Sequence, residues 1–266
     1  MNQAISIERV TISLPRLPTA FDGLKVGLLA DVHASPPRRG VAHVEGIVRA
    51  VNSLAADVVL LVGDMVHKPA EAPMYLPSLA QLQARLGVWA SLGNHEHAFV
   101  WYCRYLGSSP PFSVDDWRRM YADVGITLLA NEARPLANGA SRIWLVGVDD
   151  AYSGHDDLPG ALQHAYASDF CLVMTHSPDV VDQPLIGQAD LVLAGHAHGG
   201  QVRLPWLGAI WAPCRKPRQR AAGLVRTNGT TLYVTRGAGE WLPLRFRCPR
   251  EITLLELRSS ARPDAE

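Results

Sequence analysis

Asp31-Val32-His33, Gly63-Asp64, Gly93-Asn94-His95-Glu96, His176 and Gly195-His196-Ala197-His198 are the residues of this 266-residue chain best suited to chemistry. Among them, Asp31, His33, Asp64, Asn94, His176, His196 and His198 offer imidazole nitrogens with carboxylate and amide oxygens, and no thiolate. That mixture suits Mn, Fe, Zn or a similar divalent ion better than a thiolate zinc site or an all-oxygen calcium cage. Seven ligands exceed what one tetrahedral ion takes, whereas two ions sharing a carboxylate fit the count. In an extended stretch, residues two apart point the same way, so Asp31/His33 and His196/His198 can each converge on one centre. Taken singly, each element is ordinary: DxH after a strand can be a turn, GD is common turn chemistry, and a lone His176 can be a satisfied core histidine. GNHE and GHAHGG are more specific, because both set histidines beside glycines where a backbone must approach a ligand closely.

The elements that must position these residues are short apolar runs at 25–30, 57–62, 143–148, 170–174, 190–194, 231–235 and 252–257. Their length and lack of alternation predict strands covered on both faces. Between them lie stripes at helical spacing over 43–55 (Val44, Ile47, Val48, Val51, Leu54), 76–86 (Leu76, Leu79, Leu82, Leu86) and 114–124 (Val114, Trp117, Tyr121, Val124). Strand–helix alternation predicts an α/β architecture. The run at 25–30 leads to Asp31 and His33, the next to Asp64, GVWASL to Asn94, 170–174 to His176, and 190–194 to His196 and His198. Five strands thus emit metal-competent side chains at their carboxyl ends, the edge at which open α/β sheets bind ligands.

Composition narrows the alternatives. With 25 basic and 25 acidic residues the formal net charge is zero, so no stable nucleic-acid complex is expected and any anion needs a local site. Hydrophobic residues at 48% exclude wholesale disorder. Cys103, Cys171, Cys214 and Cys248 share no CxxC spacing and read as isolated thiols. No stretch approaches the ~18–20 apolar residues of a membrane span. The start, MNQAISIERVTISLPRLP, is unlike a signal peptide, so a cytoplasmic protein is expected. Without a linker or repeat, residues 1–257 read as one domain and 258–266 as a polar tail.

DVH, GD, GNHE, the isolated His176 and GHAH resemble the five ordered motifs of the calcineurin-like metallophosphoesterase superfamily. LPTAFDGLKV, GVDD at 147–150, GHAHGGQVRLP and TRGAGEWLPLRFRCPREITLLEL extend the similarity to a bacterial branch. That branch includes membrane-associated phosphodiesterases and some UDP-2,3-diacylglucosamine hydrolases. The resemblance covers roughly residues 5–257 and implies a two-sheet β-sandwich flanked by helices. It implies that Asp31, His33 and His198 hold a first metal, that Asn94, His176 and His196 hold a second, and that Asp64 bridges them. His95 would be the catalytic histidine that binds no metal. Two ions ~3.5–4 Å apart would activate a bridging hydroxide and clamp the phosphate for in-line attack. His95 would stabilise phosphoryl charge or protonate the leaving oxygen. Manganese is placed first, with iron, zinc, nickel or magnesium compatible.

Glu96 is read as a supporting residue that orients His95 or a metal ligand. His67 stands where many relatives carry an acid, and either replaces it by a hydrogen bond or adds a ligand. Residues 97–113 form a lid, a substrate wall or a plain surface loop. Trp206, Trp211 and Trp241 near Arg215-Lys216-Pro217-Arg218-Gln219-Arg220 allow peripheral contact with an anionic lipid surface, or are core tryptophans beside a solvated loop. Arg203, Arg236 and Arg245 are candidate phosphate contacts, while His155 and Asp156-Asp157 read as a polar loop outside the site. The leading expectation is a phosphodiester or pyrophosphate hydrolase acting on a small or lipid-linked phosphoester such as UDP-2,3-diacylglucosamine. Its competitors are a non-catalytic metal-binding scaffold and a phosphomonoesterase or protein phosphatase.

Overall fold

The computed structural model describes residues 5–36, 39–98, 112–165 and 169–260. Its first sheet contains β1 (Ser6–Leu14), β2 (Leu24–Leu29), β3 (Val58–Val62), β4 (Val88–Ser91), β5 (Thr127–Leu128) and β14 (Glu251–Ser259). They are ordered β1-β14-β2-β3-β4-β5. β2 to β5 run parallel, and β14 lies antiparallel to β2 and parallel to β1. The second sheet contains β6 (Glu132–Asn138), β7 (Ser141–Gly147), β8 (Cys171–Met174), β9 (Leu191–Ala194), β12 (Gly223–Thr227) and β13 (Thr230–Val234). Its order is β12-β13-β9-β8-β7-β6, with β7, β8, β9 and β13 parallel. A small hairpin of β10 (Arg203–Leu204) and β11 (Gly208–Ala209) stands apart.

The apolar runs lack alternation because both faces of each sheet are covered. Val58, Leu60 and Val62 of β3 turn inward against the second sheet, meeting Leu145, Leu172, Met174, Leu191 and Leu193. Val59 and Leu61 point outward into a cluster with α1 (Val41–Asn52), α2 (Ala72–Leu79) and α3 (Val114–Asp123). The outer face of the second sheet is closed by α4 (Leu158–Leu162) and a 3-10 segment, Pro178–Asp182. The result is the α/β two-sheet sandwich with flanking helices. Each fully buried aliphatic side chain contributes about 1.5–3 kcal/mol to holding the layers together.

Two elements differ from expectation. The leucine spacing predicts a helix over 76–86, but α2 starts at Ala72 and ends at Leu79. Proline near its first position favours the early start. Leu82 is buried from a turn in which its N–H donates to the Leu79 carbonyl at 3.0 Å, so the helical period there was produced by a turn. β14 runs to Ser259, pairing Arg258 with Ser13 and placing 258–259 in the sheet. Residues 261–266, Cys103 and most of 97–113 lie outside the described residues.

Candidate metal centre

β2, β3 and β4 of one sheet and β8 and β9 of the other end at the same pole of the sandwich. The turns that follow carry Asp31, His33, Asp64, Asn94, His176, His196 and His198, each at most 4% exposed. Five of these adopt left-handed backbone: Asp31 (φ 54), His33 (φ 46), Asp64 (φ 56), His196 (φ 64) and His198 (φ 50). Such a conformation costs a residue with a Cβ roughly 1–2 kcal/mol. Five instances on five potential ligands mark the turns as built for side-chain placement, since strain of this kind collects at functional sites. The side chains therefore converge through kinked turns, not through the strand alternation inferred from their spacing.

The convergence forms two groups. In the first, His33 Nε2 lies 3.0 Å from His198 Nε2, and Asp31 Oδ1 is 3.3 Å from His198 Nε2 and 3.9 Å from His33 Nε2. In the second, His176 Nε2 lies 3.1 Å from Asp64 Oδ2 and 3.2 Å from His196 Nδ1. Each group has one ligand atom per residue, all within 4.8 Å of one another, and could hold a metal ion. Asp31 and His33 thus stay together, whereas His196 and His198 part to different groups. Asp64 Oδ2 lies between the groups, 3.6 Å from His33 Nε2 as well as 3.1 Å from His176. Asn94 is buried beside Asp64, on the turn whose next amide, that of His95, donates to Asp64 Oδ1 at 2.9 Å.

The donor set fits metal ions chemically. Burial pushes the His196 imidazole down to about 3 and holds those of His33 and His198 well below the ordinary range, so all three stay in the neutral, ligating form. His176 is also desolvated, but the Asp64 carboxylate beside it raises it overall. Conversely, Asp64 is buried yet held ionised by His176 and His95. The His176 Nδ1–H donates to the Val62 carbonyl at 2.9 Å, which fixes the ring and directs Nε2 to the cluster.

His95 is oriented the same way. Its Nδ1–H donates to the His67 carbonyl at 2.6 Å, leaving Nε2 4.0 Å from Asp64 Oδ2. His67 therefore braces His95 through its backbone. Its ring lies 4.9 Å from that of His95, in a third His33, His67 and His95 grouping. Glu96 does not touch His95. Its two oxygens accept from the amides of Asp64 (2.8 Å), Met65 (2.9 Å) and Gly93 (2.9 Å), tying the β3 turn to the β4 turn. Replacing a buried carboxylate that satisfies three amides strands all of them. Glu96→Ala is expected to lower unfolding free energy by about 2–4 kcal/mol, read as a shift in the urea midpoint.

The three candidate phosphate arginines are otherwise engaged. Arg245, its side chain only 3% exposed, donates to the carbonyls of His198 (3.3 Å), Arg236 (2.8 Å), Cys248 (3.2 Å) and Gly239. Arg236 is held by Glu8 (2.8 Å) and Glu251 (2.7 Å), and Arg203 donates to the Gly199 carbonyl (3.1 Å). They shape the His198 turn and the sheet behind it. Sequence reasoning missed the turn after β7. Asp149 accepts from His97 Nε2 at 2.7 Å, His155 stacks on the His97 ring at 3.9 Å, and Tyr152 lies 4.5 Å from the His196 ring. GVDD follows an interior strand just as the metal-competent motifs do, and that was the available signal.

Glycine serves the centre at Gly237, where φ is +74 and a Cβ would come 2.6 Å from the Asp31 Cβ. Gly237→Ala is expected to displace Asp31 and weaken metal retention about 10–100-fold, measured by competition with a chelator, although no ligand is changed.

The sandwich of two mixed sheets thus carries at one pole Asp/His groups that could hold metal ions. Residues 24–200 match the calcineurin-like phosphoesterase family, and the chain belongs to it. It is 28% identical over 256 residues to the Bacillus subtilis metallophosphoesterase YkuE, covering 94% of this chain and 84% of that one. It is 32% identical over 203 residues to the Escherichia coli phosphodiesterase YaeI, covering 76% and 70%. With the UDP-2,3-diacylglucosamine pyrophosphatase LpxG of Chlamydia trachomatis it shares 25% identity over 297 residues, covering 94% and 88%. Some relatives are longer, and the chain spans 58% of one from cattle. No helix among the described residues is long and apolar enough to cross a membrane.

Proposed function

We propose that this metallophosphoesterase hydrolyses a phosphodiester or pyrophosphate bond through two divalent ions. Asp31, His33 and His198 would hold one ion and Asn94, His176 and His196 the other, with Asp64 placed to contribute to both. The observation that carries this reading is the place of Asp64 Oδ2, within 3.6 Å of one imidazole group and 3.1 Å of the other. Bound there, the ions supply Lewis acidity and neutralise phosphoryl charge. The chain's own residues do the rest. With His95 Nδ1–H engaged by the His67 carbonyl, Nε2 is the ring atom that faces the phosphoryl group and the leaving oxygen. Burial of the ligand turns keeps bulk water away, and Glu96 keeps two ligand turns in register. The chain acts as one domain that extends through β14 to Ser259, manganese is the first ion to test, and a nucleotide-linked lipid such as UDP-2,3-diacylglucosamine is a candidate substrate.

The test is hydrolysis of bis(p-nitrophenyl) phosphate and p-nitrophenyl phosphate by metal-stripped protein, with Mn, Fe, Zn, Ni and Mg added back in turn. Diester cleavage restored by a transition metal is the expected outcome. No turnover with any ion, despite two ions bound per chain, would sink the phosphodiesterase reading.

A further inference from the structure

A net-neutral protein carries its exposed apolar side chains unevenly. Of the fifteen large apolar side chains exposed among the described residues, nine fall within 204–211 and 241–246. Trp206 stands at the tip of the β10–β11 hairpin at 105% exposure, followed by Leu207 at 42% and Trp211 at 54%. The second segment contributes Trp241, Leu244 at 58% and Phe246 at 51%. The two segments form one ridge. Phe246 N–H donates to the Gln201 carbonyl at 2.8 Å, Arg203 N–H to the Phe246 carbonyl at 3.0 Å, and the Trp211 and Trp241 ring centroids lie 5.8 Å apart.

The ridge has a cationic border. Residues 201–250 contain ten arginines and lysines against a single acid, Glu240, which is buried and bound to Arg250 at 2.6 Å. Arg215, Lys216, Arg218 and Arg247 are exposed. The first two share Asp182 at 4.0 and 3.9 Å, while Arg218 and Arg247 make no ion pair among the described residues. The turn Pro217–Arg220 packs on β11, which sets these cations beside the hairpin.

We propose that this ridge docks on an anionic lipid bilayer, with Trp206, Leu207, Leu244 and Phe246 entering the headgroup boundary and the arginines meeting lipid phosphates. Large aromatic and aliphatic side chains bordered by basic ones match that interface in both polarity and charge. Scattered exposed apolar residues need no partner, but a contiguous patch of this kind does. A second copy of the chain fits less well, because two-fold pairing would oppose two cationic borders.

The ridge is rigidly tied to the ligand turns. Gln201, three residues after His198, donates from Nε2 to the carbonyls of Leu242 (2.9 Å) and Leu244 (2.7 Å) and accepts from the Trp241 amide (3.1 Å) at Oε1. Docking would therefore hold the candidate metal centre at the membrane surface. That consequence rests on the proposed function, whereas the docking itself does not.

The experiment is co-sedimentation of the full chain with phosphatidylcholine vesicles, with and without phosphatidylglycerol. The wild type is compared with a Trp206→Ser, Leu207→Ser pair and an Arg218→Glu, Arg247→Glu pair. Near-UV circular dichroism checks that each variant remains folded, independently of any hydrolysis. The wild type is expected to sediment with the anionic vesicles. The serine pair should lower partitioning about tenfold or more, and the glutamate pair severalfold on anionic vesicles alone. Failure of the wild type to sediment, or sedimentation of the serine pair equal to it, overturns the proposal. A wild-type dimer in sedimentation velocity that becomes monomeric in the serine pair also overturns it, in favour of self-association. Loss of phosphodiesterase activity in the wild type would sink the proposed function and leave the docking standing.

Discussion

Asp64→Ala is expected to lower kcat/KM for a diester by about 10³-fold or more, and to reduce the metal retained by the purified chain at both groups. Under the proposed two-ion mechanism several kcal/mol of transition-state stabilisation is at stake, and 4 kcal/mol corresponds to about 10³ in rate. The size follows from position. Asp64 Oδ2 faces imidazoles of both groups, and Asp64 Oδ1 receives the His95 amide, so one substitution disturbs both proposed ion positions and the proposed catalytic histidine together. Elemental analysis beside steady-state kinetics checks it. A variant that keeps two ions and wild-type turnover would show that the carboxylate is not shared.

The second large effect is expected at His95. His95→Ala should lower kcat by about 10²–10⁴-fold with metal content unchanged, because the ring points at the cluster but lies outside both Asp/His groups proposed to hold the ions. The leaving group separates its two conceivable roles. If Nε2 gives a proton to the leaving oxygen, the loss is small for p-nitrophenolate, which leaves readily unprotonated, and large for an alkyl diester. If the ring instead stabilises phosphoryl charge, both substrates lose equally. The hydrogen bond from His95 Nδ1 to the His67 carbonyl aims Nε2 at the cluster for either role, so the leaving-group comparison decides between them.

What was legible in the sequence depended on burial. The interior strands of both sheets, β14, β2, β3 and β4 in one and β13, β9, β8 and β7 in the other, were all readable as apolar runs. Both faces of each are largely packed, so most positions are apolar, with exceptions such as Lys25 of β2 and Glu256 of β14. The four strands at the sheet edges were not read. β1 alternates exposed and covered positions, β12 does the same, β5 has two residues, and β6 carries Pro135. An edge strand need satisfy only one neighbour, so its composition is freer and its signal weaker. The candidate ligands were legible because each follows an interior strand. Their sorting into groups was not, because left-handed turns at Asp31, His33, Asp64, His196 and His198 set side-chain direction in a way that spacing alone does not encode. Glu96 was recognised as supporting, yet two of its partners, the amides of Asp64 and Met65, are 30 or more residues away, and only the folded chain brings them near.

The ligand turns are divided between the sheets: Asp31, His33, Asp64 and Asn94 come from the first, and the three later histidines from the second. The first sheet is itself completed only by β14, which inserts between β1 and β2 from the far end of the chain. Firm retention of any ion at that pole is therefore expected only in the nearly completed fold. A nascent chain exposes all seven candidate ligands once residue 198 has emerged, but the sheet that carries Asp31 and His33 is not complete until residues 251–259 pair with β1 and β2.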